Sequence, residues 1–346
     1  MRCTSPRTVG FLSDGKTLCW SQKHYSKEFA TFQLPCSKCL SCRLEYGRQW
    51  AIRCVHEAQM HPENCFITLT YDEKHLTSDK LIYTDFQTFV KNLRSQIFQE
   101  TLDSVFPNLA QKKQRQLWRT LSKERQNEIY DPKKISIFVT GEYGDQKKRP
   151  HWHALIFNWR PTDCVYKYSN ERGDKSYSSD SLSRLWPHGI AELGAITFES
   201  AGYCARYAAK KLTHGHDGTH DYNPISKKSA RNAIGKKFIE EHWQSVFAIG
   251  KIILPNGKSC SIPRYYEKWL KDNQPEAYNR YVTQLKNERM QIAIQKEEEQ
   301  RSQEMIENLK RSNEMGLDFV PQITKSKARA MILERLFEGL QKHLKL

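Results

Sequence analysis

"RPHWHALIF", residues 149–157, decides how this chain is read. Side chains of a β-strand alternate faces with period two, so His151 and His153 point one way and Trp152 the other. One face of the strand therefore carries two imidazoles about a metal ion's reach apart. Half-buried histidines of an ordinary sheet would have the same spacing, so the neighbouring segments must decide. Just upstream, "ISIFVTGEYG" (135–144) is rich in β-branched and aromatic residues, and the short "DQKKRP" link favours an antiparallel hairpin. That pairing sets Glu142 beside the histidines. Two imidazoles and a carboxylate with open positions suit a divalent ion, Mg2+ or Mn2+, that polarises a phosphodiester.

Strands and helices mix along the chain. Leu40, Leu44, Ala51, Val55 and Ala58 recur at near-helical spacing, with Arg43, Arg48 and Arg53 off the apolar stripe as a basic face. "CFITLTY" (65–71) predicts a strand. "TDFQ" (84–87) predicts a capping box opening a helix with Phe86, Phe89, Val90, Leu93 and Ile97 on one side. Residues 100–130 read as a polar, helix-prone insertion, and 160–190 as a loop. "AITFE" (195–199) predicts a strand, Ser200 a cap for a helix "AGYCARYAAKKL", and "SVFAIGKIIL" (245–254) another strand. After 263 the chain turns helical and charged, with one long polar helix around 287–311 and a last helix from about 325. The core is α+β or α/β.

The 346 residues carry a net charge of +16, which points to a polyanionic partner. Apolar runs all fall short of the roughly 20 residues of a membrane helix, and the N-terminus has no uninterrupted apolar signal core. Nucleic acid is therefore the expected partner, and no membrane is expected. Between 206 and 237 eight Lys and Arg face two Asp. Lys227, Lys228 and Arg231 are expected to contact phosphate. There is no G-x-x-x-x-G-K-[ST] loop, so any unwinding motor must come from another protein.

Seven of the ten cysteines precede residue 66. "PCSKCLSCR" sets Cys36, Cys39 and Cys42 at C-x2-C-x2-C spacing, with Cys3 or Cys19 available as a fourth thiolate. A structural Zn2+ knuckle, an iron-sulfur site and reduced thiols packing a helix start all fit this spacing.

In "YCARYAAKK", Tyr203 and Tyr207 stand one helical turn apart on the same face, and Lys210 and Lys211 follow Tyr207 by three and four residues. An aromatic stripe facing the core has the same spacing. A phenol with a pKa near 10 needs nearby positive charge or an activated electrophile to act as a nucleophile. The lysines offer the first and the His-His-Glu set the second. Metal, phenol and basic surface together specify DNA transesterification through a phosphotyrosine.

These features resemble the HUH endonucleases, in which two His flank a hydrophobic residue. More closely, the chain is similar to the rolling-circle replication initiators of small single-stranded-DNA bacteriophages of the microvirus family, gokushovirus type. The resemblance covers about 36–212, through "PCSKCLSCR", "RQWAIRCVHEAQMHPENCFITLTYDEKHL", "GEYGDQKKRPHWHALIF" and "FESAGYCARYAAKKL". It implies an α+β fold: a central antiparallel sheet of ferredoxin-like or RNA-recognition-motif type with flanking helices, and a helical C-terminal extension. The implied divisions are a Cys-rich segment and basic helix (1–62), an endonuclease core with insertions (63–255) and the extension (256–346). It makes His151 and His153 metal ligands with Glu142 as the third. Tyr203 and Tyr207 become the two nucleophiles, and Lys210 the lysine of a Tyr-x-x-Lys pattern. It implies nicking of the origin of the replicative-form DNA, action on single strands, help from a host helicase and polymerase, and residence in the host bacterial cytoplasm.

Three other readings compete. One is a relaxase or transposase on the same fold, against which the short helical tail and the four blocks argue. Another is a non-catalytic single-stranded-DNA-binding protein whose tyrosines stack on bases. In the third, His214, His216 and His220 of "HGHDGTH" form the metal site, although that Gly-rich setting lacks a rigid scaffold and reads as a loop over the DNA.

Overall fold

A computed structural model describes residues 3–144, 149–171, 173–210, 225–229, 233–254, 257, 259–316 and 325–343. Strands β1 (Arg7–Phe11), β2 (Leu18–Cys19) and β3 (Phe32–Leu34) form a small antiparallel sheet in the order β2-β1-β3. Helix α1 (Leu40–Gln59) leads to β4 (Asn64–Thr70), followed by α2 (Tyr83–Val105), α3 (Gln111–Thr120) and α4 (Lys123–Tyr130). The hairpin β5 (Ser136–Tyr143) and β6 (Pro150–Phe157) comes next, then β7 (Val165–Ser169), β8 (Lys175–Ser178), α5 (Asp180–Leu185), β9 (Ala191–Gly194), α6 (Phe198–Lys210) and β10 (Ile225–Lys228). The remainder comprises α7 (Lys236–Ile249), β11 (Ile252–Ile253), β12 (Ser259–Cys260), α8 (Arg264–Asn273), α9 (Pro275–Arg280), α10 (Asn287–Met315) and α11 (Lys325–His343). Two compact units result: Gly47–Glu241, and Met1–Tyr46 with His242–Leu346.

In the first of these units seven strands run in the order β10-β5-β6-β4-β9-β8-β7, every pair antiparallel. The strand-helix-strand-strand-helix-strand path β4-α2-β5-β6-α5-β9 gives the inner order β5-β6-β4-β9, the ferredoxin-like arrangement. The α+β expectation with a central antiparallel sheet therefore holds, and so does the long helix after it.

The sheet has two unlike faces because its strands alternate. Ile67, Leu69, Val139, Trp152, Ala154 and Ile156 share one core with Phe86, Phe89, Leu93 and Ile97 of α2. Trp152 is fully buried, lies 5.4 Å from the ring of Phe86, and donates its indole N–H to the Tyr71 hydroxyl at 3.1 Å. Gly141 is its partner across the hairpin, and a Cβ there would come within 2.6 Å of the Trp152 ring. The glycine of "GEYG" thus makes room for the tryptophan that separates the two histidines.

Several expectations are corrected. The 160–190 segment contains β7, β8 and α5, because "VYKYS" alternates and Asn170–Gly173 closes a turn. The strand expected at 195–199 lies earlier, at β9, and Phe198 and Glu199 already belong to α6. Ser200 sits inside that helix. Its N–H donates to the Thr197 hydroxyl at 3.1 Å and its hydroxyl accepts from the Thr197 N–H at 2.8 Å, a reciprocal cap. The Thr84–Gln87 box does not form, since α2 begins at Tyr83 after an Ile82 cap without a side-chain bond. Residues 245–249 finish α7, and only Ile252–Ile253 beyond Gly250 is a strand. Arg53 is buried rather than on a basic face: its Nε donates to the Ile234 carbonyl at 2.9 Å and its guanidinium lies 4.1 Å from the Trp50 ring centre.

Candidate active site

The hairpin register sets the polar face of the sheet. Glu142 lies directly across from His151, and Thr140 from His153, while β4 adds Thr68 beside His153 and Thr70 beside His151. Helix α6 packs against β5 and β6 and brings in Tyr203. The side chains converge on one atom. Glu142 Oε1 lies 2.7 Å from His153 Nε2 and 3.1 Å from His151 Nε2, and accepts the Tyr203 hydroxyl at 2.5 Å.

Outer contacts fix both rings. His151 Nδ1 meets the Arg149 carbonyl at 3.2 Å, so it carries the proton and leaves Nε2 turned to the carboxylate. His153 Nδ1 lies 3.0 Å from the Thr68 hydroxyl, and its ring stacks on Phe66 with centres 5.5 Å apart. The Tyr203 ring meets His153 edge-on at 5.0 Å. Sequence reasoning passed over Thr68 and Phe66, although the alternation of "FITLTY" already puts them on one face.

Burial opposes ionisation of Glu142, but the two imidazoles that bond to it and their charge outweigh burial and hold its carboxyl at about 2. Burial pushes His153 below the ordinary histidine range against the pull of Glu142, so its Nε2 is unprotonated at neutral pH. Glu142 Oε2 and Thr140 Oγ1 are buried without a hydrogen-bond partner among the described residues. A buried carboxylate oxygen left unpaired beside two imidazole nitrogens is costly in a metal-free site and natural in a metal-ligating one. The donor set of two nitrogens and a carboxylate, all within 4.8 Å of one another, fits a divalent cation.

Tyr207 and Lys210 occupy the last turn of α6, but their side chains lie outside the described residues. Lys211, His214, His216, His220 and Arg231 lie wholly outside them. Lys228 stands 4.1 Å over the Trp50 ring, and burial lowers its ammonium below the ordinary lysine range. Elsewhere, Cys36, Cys39 and Cys42 come together with Cys3, whereas the Cys19 thiol bonds to the Ser21 carbonyl. No helix among the described residues is long and apolar enough to cross a membrane.

A family model for the replication-associated proteins of the ORF2 group matches residues 101–212, the stretch holding the hairpin and α6. The chain is 41% identical over 346 residues, the whole of both chains, to replication-associated protein VP4 of Bdellovibrio phage phiMH2K. It is 26% identical to replication-associated protein ORF2 of Spiroplasma virus 4, across 85% of this chain and 87% of that one. It is 30% identical to replication-associated protein ORF4 of Chlamydia phage 1, across 72% and 56%. No solved structure matches.

Proposed function

Since this chain belongs to the replication-associated proteins of microviruses and so serves viral DNA replication, we propose that it starts rolling-circle synthesis by nicking the phage origin with Tyr203. The observation that carries this reading is the Tyr203 hydroxyl held 2.5 Å from the carboxylate that both histidines share. A phenol in that position can attack a phosphate lying over the triad. Its oxygen forms the new P–O bond, the 3' oxygen departs as a free hydroxyl, and the 5' end stays on the protein as a phosphotyrosine.

Glu142 Oε1 orients the phenol and holds its proton until attack. Phe66 and Thr68 keep the His153 ring in place, and the Arg149 carbonyl does so for His151. Mg2+ or Mn2+ held by Glu142, His151 and His153 would polarise the scissile phosphate and stabilise the leaving oxygen. Lys210 and Lys211 supply positive charge near the second tyrosine. After one circuit Tyr207 cuts the regenerated origin, and the displaced 3' hydroxyl attacks the first linkage to close a circle. One P–O bond is exchanged for another at each step, so no outside energy source is needed. Unwinding and synthesis fall to a host helicase and polymerase, which places the work on single-stranded and replicative-form DNA in the host cytoplasm.

The test is cleavage of a labelled single-stranded oligonucleotide spanning the phage origin, with Mn2+ or EDTA, by wild type and by the His151→Ala/His153→Ala double variant. Cleavage should need Mn2+ and vanish in the variant. Cutting that persists in EDTA, or in the variant, would contradict the metal-assisted reading.

A further inference from the structure

The second cluster of metal-ligating side chains lies outside the triad and in the other compact unit. We infer that Cys3, Cys36, Cys39 and Cys42 form a closed four-thiolate zinc site that staples the N-terminal segment to the start of α1.

The geometry is tetrahedral in its spacing. Zinc holds thiolate sulfur at about 2.3 Å, which puts the sulfurs of a tetrahedral site about 3.8 Å apart. Cys39 Sγ lies 3.8 Å from Cys3 Sγ, Cys36 Sγ lies 4.0 Å from Cys42 Sγ, and all four sulfurs fall within 4.8 Å of one another. These separations are about twice the S–S bond of a disulfide, and all four cysteines are free. An iron-sulfur cage would need its thiolates spread around it, and these converge on one point.

The backbone is arranged for sulfur carrying negative charge. The Lys38 and Cys39 N–H groups donate to Cys36 Sγ at 3.4 and 3.3 Å, and the Cys36 N–H donates to Cys3 Sγ at 3.2 Å. Ser37 takes a left-handed φ of 62°, which folds the chain back so that two successive amides reach the same sulfur. Cys42 then follows from the first turn of α1.

The segment also has little else to hold it. Among residues 3–39, Val9 is the one buried apolar side chain, while Leu12, Leu18, Trp20 and Phe29 are exposed. A three-stranded sheet of 2–5-residue strands with so small a core calls for a cross-link. Four protein ligands leave no open position, so the site is structural rather than catalytic. It stands independently of the phosphotyrosine reading.

The test is metal content of the full-length protein purified from zinc-containing medium and dialysed, together with the absorption spectrum of the cobalt-substituted wild type. One zinc per chain is expected, unchanged in Cys19→Ser and in His151→Ala, and lost from Cys3→Ser and Cys39→Ser. The cobalt spectrum should show the intense thiolate charge-transfer bands of a tetrahedral four-sulfur site, and it reads the ligands without any variant. Zinc-free protein with four freely reactive thiols, bound iron in place of zinc, or full zinc retention by Cys3→Ser would overturn the assignment.

Discussion

Glu142 is the hinge of the site, because a single oxygen of its carboxylate meets two imidazoles and a phenol. Removing its charge should weaken Mn2+ binding at least about tenfold, measured by titration calorimetry on Glu142→Gln. A pH dependence follows from the same contacts. The folded carboxyl titrates at about 2, below its ordinary value, so its stabilising effect is present above pH 4.5 and is lost as pH falls from there toward 2. His153 acts in the same direction. Burial keeps it neutral in the fold while the unfolded chain takes up a proton below about pH 6.5, so acid favours unfolding there too. Urea midpoints of wild type and Glu142→Gln in EDTA should therefore converge as pH drops below about 4.5; a constant gap down to pH 2 would contradict this. Most of these residues were legible from spacing alone. His151, His153 and Glu142 follow from strand period and hairpin register. Cys3 could not be chosen over Cys19 from the sequence, because nothing local tells which strand end folds back to residues 36–42.

The β5–β6 hairpin and α6 are the elements that build the site. Gly141 is spent on Trp152, so Gly141→Val should overpack the hairpin and destabilise the fold by about 1–3 kcal/mol, read as a shift in the denaturation midpoint. Thr197→Ala removes the reciprocal cap of α6 and should cost about 1 kcal/mol, with slower strand cleavage but unchanged metal affinity. Unchanged cleavage would mean that α6 is positioned by its packing alone. Long apolar runs with a clear period were legible at this scale. The misses share a cause. "SVFAI" is apolar enough for a strand, yet it continues an amphipathic helix begun at Lys236, and its end is set by Gly250 at φ 66°. "AITFE" hides a Thr-x-x-Ser cap, and a cap acts through backbone bonds that β-propensity does not register.

At the scale of the whole molecule the excess of 16 positive charges makes affinity for any single strand strongly salt-dependent. Log Kd should rise linearly with log salt, with a slope of about 0.7 per phosphate neutralised, whether or not the origin sequence is present. A flat response would remove the electrostatic account of binding. The central claim concerns which atom makes the covalent bond. Trypsin cuts after Arg206 and so separates Tyr203 from Tyr207 into different peptides. The decisive measurement is therefore tandem mass spectrometry of the tryptic digest after reaction with a short origin oligonucleotide and Mn2+. Nucleotide mass on the peptide ending at Arg206, localised to Tyr203, is the predicted result. An adduct on Tyr207 alone, or cleaved DNA with no adduct, would contradict Tyr203 as the attacking group.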